Sequence, residues 1–301
     1  MPVWRAVLKR RQPPLATGDG TWARGLPALR RTCAEGWGLT LGAPYPASGT
    51  TEVTRATRAD GTPVVLKLSP PVPGLEREAR ALAHWDGVGA VRLVAADLTS
   101  GALLLERAEP GTSLVSLGVE HDRGATAAAG RVMRELGRAP GEERTLPDVS
   151  EWVEELEQTR LDAAPPRLRR AGRDALHAGR ELVADCAPRF VLHGDLHHGN
   201  VLRAAREPWL AIDPKGVRGP PEAEAAAFLR NPRGLVLAHP SPARLMQARI
   251  LGLTETAGLD PTRMRAWGWV LAVVAAWWSF EDRETGWEQW LACAEAIQRS
   301  G

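Results

Sequence analysis

"LHGDLHHGNVL", residues 192–202, puts three histidines, an aspartate and an asparagine into one short stretch. Two constellations can be drawn through it. His193, Asp195, His197 and His198 form one, a set of potential metal ligands. Asp195 and Asn200 form the other, a carboxylate and an amide five positions apart with histidines as neighbours. The two make different demands on the rest of the chain.

A metal nest needs further ligands from distant loops, as in metallohydrolases, where histidines and carboxylates close around a zinc ion. Here His239 lies in the loop "LAHPSP", and Cys186 and Cys293 fall in helix-like segments. A polar loop with satisfied histidines is the plainer alternative. The second constellation reaches further. A protein-kinase catalytic loop is written H-R-D-L-x-x-x-N. Residues 193–200 match every fixed position except the Arg, where Gly194 stands. The spacing follows from the chemistry. A carboxylate must face an acceptor hydroxyl, and an amide oxygen five residues on must turn back toward a metal on the phosphates. Glycine at the Arg position is expected where no activation-loop phosphate has to be held.

Working outward, a second metal ligand should follow on the next hairpin. "WLAIDPKG" supplies Asp213, eighteen residues after Asp195. Upstream, "VVLKLS" places Lys67 between Leu66 and Leu68 in a strand pattern. Of the 38 lysines and arginines only Lys9, Lys67 and Lys215 are lysine, so a lysine inside an apolar strand asks for a chemical reason. On the helix that follows, Glu76 and Glu78 compete as its partner. Glu78 lies roughly 65° from the centre of the apolar stripe and Glu76 roughly 95°, which favours Glu78. "PASGTTEV", residues 46–53, could cover phosphate through backbone N–H groups at Ser48, Gly49 and Thr50. "LLLERAEPG", residues 103–111, could hold adenine near the Glu106 carbonyl and the Ala108 N–H. Lys215 could touch phosphate or be a solvated loop charge.

The fold class is α+β. Residues 37–68 read as strands with a hairpin turn at Asp60-Gly61. A helix over 74–87 follows, then two strands about Ser100-Gly101. Residues 1–108 thus form a small N-terminal lobe of antiparallel sheet plus helix that binds nucleotide. "EPG" at 109–111 is the hinge, and 109–301 form a mainly helical catalytic and acceptor-binding lobe. Its helices are expected near 121–138, 148–162, 166–186, 222–230, 241–257 and 261–298 with breaks.

A formal net charge of +2 gives no electrostatic case for nucleic acid. Three widely spaced cysteines, Cys33, Cys186 and Cys293, argue against a disulfide framework and for a reducing cytoplasm. The N-terminus carries no signal-peptide pattern. "WGWVLAVVAAWWSF", residues 267–280, is too short to span a membrane, and Trp267, Trp277 and Trp278 read as core. A cytoplasmic monomer with no membrane association is expected.

"VLHGDLHHGNVL", "AIDPKG", "AAFLRNP" and the "LLLER" before the hinge resemble the aminoglycoside/hydroxyurea phosphotransferase family, its streptomycin 6-kinase branch most closely, over about residues 30–300. The resemblance implies a bilobal protein-kinase-like fold and transfer of phosphate from Mg2+-bound ATP to a small hydroxylated antibiotic such as streptomycin. It implies Asp195 as catalytic base, Asn200 and Asp213 as metal ligands, and Lys67 with Glu78 as the phosphate-orienting pair. The chain departs from the family at "GPPEAE", which lacks the acid at 220; Glu224 matches the downstream acid. That puts the acceptor side in question. Residues 142–162 carry eight acids, Glu142, Glu143, Asp148, Glu151, Glu154, Glu155, Glu157 and Asp162, against two arginines. "SFEDRETGWEQW" adds Glu281, Asp282, Glu284 and Glu288. Walls of this kind would favour a cationic acceptor, with Glu224, Glu281 and Asp282 as candidate contacts; solvated helix faces are the alternative. Other readings are a kinase for hydroxyurea, viomycin or a metabolite, a catalytically silent nucleotide-binding protein, and the metallohydrolase.

Overall fold

The computed structural model describes residues 21–46, 51–138, 143–158, 163–185, 188–282 and 285–301. An opening helix α1 (Thr21–Gly36) leads into β1 (Leu39–Pro44), β2 (Glu52–Arg58) and β3 (Pro63–Leu68), then α2 (Pro73–Trp85), β4 (Leu93–Asp97) and β5 (Ala102–Glu106). The strands form one antiparallel sheet in the order β1-β2-β3-β5-β4. The β2–β3 hairpin turns at Asp60-Gly61: Gly61 has φ +83°, and Asp60 Oδ1 accepts from the Thr62 N–H at 2.9 Å.

The two-residue period of β3 decides where its lysine goes. Leu66 and Leu68 are fully buried and pack with Trp22, Leu26 and Leu29 of α1. Val65 and Lys67 face the opposite side, where α2 lies. On α2 the residues Leu75, Glu78, Ala79, Ala81, Leu82 and Trp85 are buried, so Glu78 belongs to the inward stripe.

The second lobe contains α3 (Asp122–Leu136), α4 (Val149–Gln158) and α5 (Pro166–Ala184), then two short hairpins. Strand β6 (Phe190–Leu192) pairs with β9 (Val217–Gly219), and β7 (Val201–Arg203) with β8 (Trp209–Ala211). The chain continues as a 3-10 turn (Pro221–Glu224), α6 (Ala225–Leu229), α7 (Arg233–Ala238), α8 (Pro242–Ala257), α9 (Pro261–Glu281) and α10 (Trp287–Gln298). The helix expected over 222–230 is therefore a 3-10 turn followed by five helical residues, and α7 was not anticipated. Helix α9 is apolar on almost every side and runs through the lobe core, with Trp267 and Trp277 buried. Among the described residues no helix is long and apolar enough to cross a membrane.

The hairpin β7–β8 stitches the lobes together. Ala211 exchanges backbone bonds with Gly89 and Val91 of the first lobe, at 2.8 and 3.0 Å. Arg206, in the hairpin turn, donates to both Glu106 carboxylate oxygens at 2.9 Å and to the Gly87 and Ala90 carbonyls. The connector is held as well: the Arg203 N–H donates to Thr112 and the Gly111 N–H to Arg203.

Candidate active site

Lys67, from the sheet, meets Glu78, from α2. Its Nζ donates to both carboxylate oxygens, at 2.8 and 2.7 Å, and also to Asp213 Oδ1 from the second lobe. Burial alone would disfavour the ammonium, but the two carboxylates outweigh it and hold Lys67 protonated above its ordinary range. Burial pushes the Glu78 carboxyl up, to about 7, against the pull of Lys67. Asp213 adopts a left-handed backbone with φ +60°, a conformation that Asp tolerates better than most residues. Its carboxylate is 60% exposed and opens into the cleft. Desolvation works against its charge, but the Lys67 ammonium more than offsets this and holds the carboxyl below the usual range.

His193 ties the "HGD" loop to the strand that ends at Asp213. Its Nε2–H donates to the Ile212 carbonyl at 2.8 Å, and its Nδ1 accepts from the Asp195 N–H at 3.2 Å. That pattern requires the neutral ring. Complete burial enforces it by pushing the imidazole down to about 4. Asn200 is buried, and its Nδ2 donates to the Asp195 carbonyl at 3.0 Å. The amide nitrogen is thereby used by the loop, and the side-chain oxygen is the atom left to act as a ligand. The Asn200 carbonyl accepts from the Ile212 N–H at 2.9 Å, which locks the positions of Asn200 and Asp213 to each other.

Asp195 is opposed by desolvation, yet Lys215, His197, Arg230 and His193 together hold its carboxyl far below the usual range. Lys215 Nζ lies 3.4 Å from Asp195 Oδ2. The same Nζ stands 5.8 Å from the centre of the Trp278 ring, which packs edge-on against Trp152. Trp278 Nε1–H donates to Glu155 at 2.5 Å. Trp278 is thus half-buried beside the loop and not a core residue like Trp267 and Trp277. Lys215, Trp278 and Glu155 form a corner beside Asp195.

Gly194 has a reason beyond the absence of an activation-loop phosphate. Its φ is +77°, and a Cβ there would come within 2.8 Å of Val217 and 3.0 Å of Trp152. Glu224 is also differently placed. It was expected at the acceptor, but its carboxylate is buried under the loop, with Oε2 accepting from the His193 N–H at 2.6 Å and Oε1 from the Gly194 N–H at 3.1 Å. Both oxygens are used by backbone, so the side chain has no face to offer a ligand. Desolvation pushes its carboxyl up to about 7.

The remaining expectations divide. Ser48, Gly49, Thr50, Glu142, Asp162, Cys186 and Glu284 lie outside the described residues. The Glu106 carboxylate is engaged by Arg206 and the Arg92 N–H, and Ala108 is buried next to it in the connector. Glu281 and Asp282 are exposed at the end of α9, one turn beyond Trp278. Part of the acid-rich segment is paired locally. Glu143 binds Thr145, Asp148 pairs with Arg189 at 3.4 Å, and Glu154 pairs with Arg180 at 3.3 Å. Glu151 accepts from the Asp148 N–H. Of the acids described, Glu155 is the one that joins the corner around Lys215, through Trp278. The histidines of the opening stretch also part company. His197 Nδ1 accepts from the Gly199 N–H, while His198 stacks on Phe228 with ring centres 4.1 Å apart. Among the described residues no three His, Cys, Asp or Glu side chains are grouped to hold a metal ion.

A five-stranded sheet and its helix, set over a helical body with ionised groups from both meeting in the cleft between them, is the build of the protein-kinase-like phosphotransferases. Residues 37–283 match the family of aminoglycoside/hydroxyurea antibiotic resistance kinases, and the chain belongs to that family. It is a small-molecule kinase. It is 34% identical to a streptomycin 6-kinase of Streptomyces glaucescens over 87% of this chain and 85% of that one. It is 39% identical to a hydroxyurea phosphotransferase of Kitasatospora aureofaciens over 92% and 80%. Among solved structures, the aminoglycoside phosphotransferase APH(4)-Ia shares the fold with a TM-score of 0.65, at 14% identity, over 92% of this chain and 99% of that one.

Proposed function

We propose that the protein transfers the γ-phosphoryl group of ATP to a hydroxyl of an aminoglycoside such as streptomycin. The observation that carries the reading is that His193 and Asn200 fix Asp195 beside the strand of Asp213, which bridges to the Lys67–Glu78 pair. Residues 1–108 would carry the nucleotide, with the adenine against the Glu106 carbonyl and the Ala108 N–H, and 109–301 the acceptor. Asp195 orients the acceptor hydroxyl and takes its proton. Lys67, kept charged by two carboxylates, orients the phosphates.

The residues present also fit magnesium. Asn200 has its amide nitrogen committed to the loop, and Asp213 opens its carboxylate into the cleft, so both offer oxygen, the donor a hard divalent cation takes. Magnesium, when bound, would supply compensation for the charge of the phosphate oxygens. The enzyme would act as a monomer in the cytoplasm, where ATP is available.

The local pairing of the acidic segment favours a second reading, in which the acceptor is small and neutral like hydroxyurea. A coupled ADP-release screen over streptomycin, other aminoglycosides and hydroxyurea separates the two. Streptomycin should stimulate turnover, and mass spectrometry should find one added phosphate on it. Stimulation by hydroxyurea alone would select the second reading. If no antibiotic stimulates turnover while a non-hydrolysable ATP analogue still binds, the antibiotic reading fails.

A further inference from the structure

Lys215 sits where a solvated loop charge would be a wasteful choice. The chain meets its need for surface cations with arginine almost throughout. The backbone around Lys215 is also fixed. Asp213 and Gly216 have φ +60° and +62° on either side of Pro214 and Lys215. The Lys215 N–H donates to the His193 carbonyl at 2.8 Å. A Cβ on Gly216 would lie 2.5 Å from the Arg77 carbonyl, so the segment is wedged against α2. The lysine stem is thereby anchored to both the catalytic loop and the first lobe. The ammonium ends 3.4 Å from Asp195, with the Trp278 ring on its far side.

The two lysines therefore mirror each other. Lys67 contacts Asp213, and Lys215, two residues further along, contacts Asp195. Lys67 is also held by Glu78, which fixes it in place. Lys215 is 45% exposed, and its charged contact is Asp195 at 3.4 Å, which leaves the ammonium room for a second oxygen partner.

We propose that Lys215 is a catalytic residue whose ammonium bridges Asp195 and the transferring phosphoryl group. The proposal rests on the kinase reading above. In the step, the acceptor oxygen forms a bond to the γ-phosphorus as the bond from that phosphorus to the β,γ-bridging oxygen breaks. The electron pair of the broken bond stays on ADP, and the hydroxyl proton goes to Asp195. Lys215, held within reach of Asp195 Oδ2 and open to solvent, contacts the phosphoryl oxygens as that bond forms. A compact ammonium suits this bridge between two oxygen partners better than a wide guanidinium fork.

The test combines two variants with a label on the unaltered protein. In Lys215→Met, turnover should fall about 100-fold, the scale of losing one donor to developing charge, with the acceptor KM unchanged. Binding of the non-hydrolysable analogue AMP-PNP with Mg2+, followed by calorimetry, should match the unaltered chain. Lys215→Arg should recover part of the lost turnover. In the unaltered chain, an ATP derivative acylated on its γ-phosphate should acylate Lys215. The amine attacks the acyl carbon, the bond to the phosphate oxygen breaks, ATP leaves, and AMP-PNP should protect the site. Undiminished turnover in Lys215→Met, or a label on Lys67 with none on Lys215, overturns the proposal. If the unaltered chain does not bind AMP-PNP, the failure belongs to the kinase reading.

Discussion

At one end of the cleft, Lys67, Glu78 and Asp213 bind one another, with Lys67 and Glu78 buried and doubly bonded. At the other end, Lys215, Trp278 and Glu155 form a more open corner, with half of Lys215 in solvent. The first end joins a strand, a helix and a loop from both lobes. The second is built from second-lobe residues, in the loop after β8 and on α9 and α4, with Gly216 of that loop packed against the Arg77 carbonyl of α2. A closed cluster of charges positions a part that every turnover shares. On the proposed reading, the open corner would meet the part of the substrate that varies. Asp195 lies between the two, bonded through His193 to the strand of Asp213 and paired with Lys215. Asp195→Ala should therefore have the largest effect of all. Turnover is expected to drop about 1000-fold while AMP-PNP still binds. Unchanged turnover would remove Asp195 from the chemistry and leave the two ends with nothing between them.

The next largest effect should come from the closed end. Lys67→Met leaves Glu78 buried and unpaired and Asp213 without its cation. The cost should be about 3–5 kcal/mol, read as a lowered denaturant midpoint. Loss of nucleotide affinity should accompany it. A midpoint unchanged from that of the native chain would mean that the cluster is not the rigid half of the comparison.

How much of this was readable in the sequence depends on how each residue is constrained. The run from His193 to Asn200 is covalently short, so its spacing already dictates which groups can meet. Asp213 follows on the next hairpin for the same reason. Glu78 was separable from Glu76 because α2 has one apolar stripe and the phase of a helix is computable from position. Trp278 was not separable from Trp277, because α9 is apolar nearly all round and phase then selects no face. The acids of 142–162 looked like a wall because spacing does not show that Arg180 and Arg189 lie across from Glu154 and Asp148. Glu224 was misplaced since a position after a turn does not tell up from down. The unpaired N–H groups of His193 and Gly194 in a buried loop were the signal that some acceptor had to come beneath them.

That correction is testable. Glu224→Gln keeps the shape but turns one acceptor into a donor facing a backbone N–H. A loss of about 1–3 kcal/mol in stability and a lower kcat with an unaltered acceptor KM are expected, because the loop loosens and no ligand contact is lost. A raised acceptor KM with stability intact would return Glu224 to the acceptor site and make the open end deeper than described.

The smallest effect should isolate the open corner by itself. Trp278→Phe keeps an aromatic face near Lys215 but removes the N–H that donates to Glu155. One internal hydrogen bond of that kind is worth about 1 kcal/mol of stability, and releasing Glu155 from its fixed position should raise the acceptor KM by about fivefold at most. AMP-PNP affinity and kcat should stay where they are, since none of the Lys67 cluster touches this ring, and the denaturant midpoint should fall only slightly. The outcome to watch is the nucleotide affinity. If it falls together with the acceptor affinity, the corner is coupled to the closed end through Lys215 and Asp195. The two regions would then be one continuous charge network whose open half is set by its closed half.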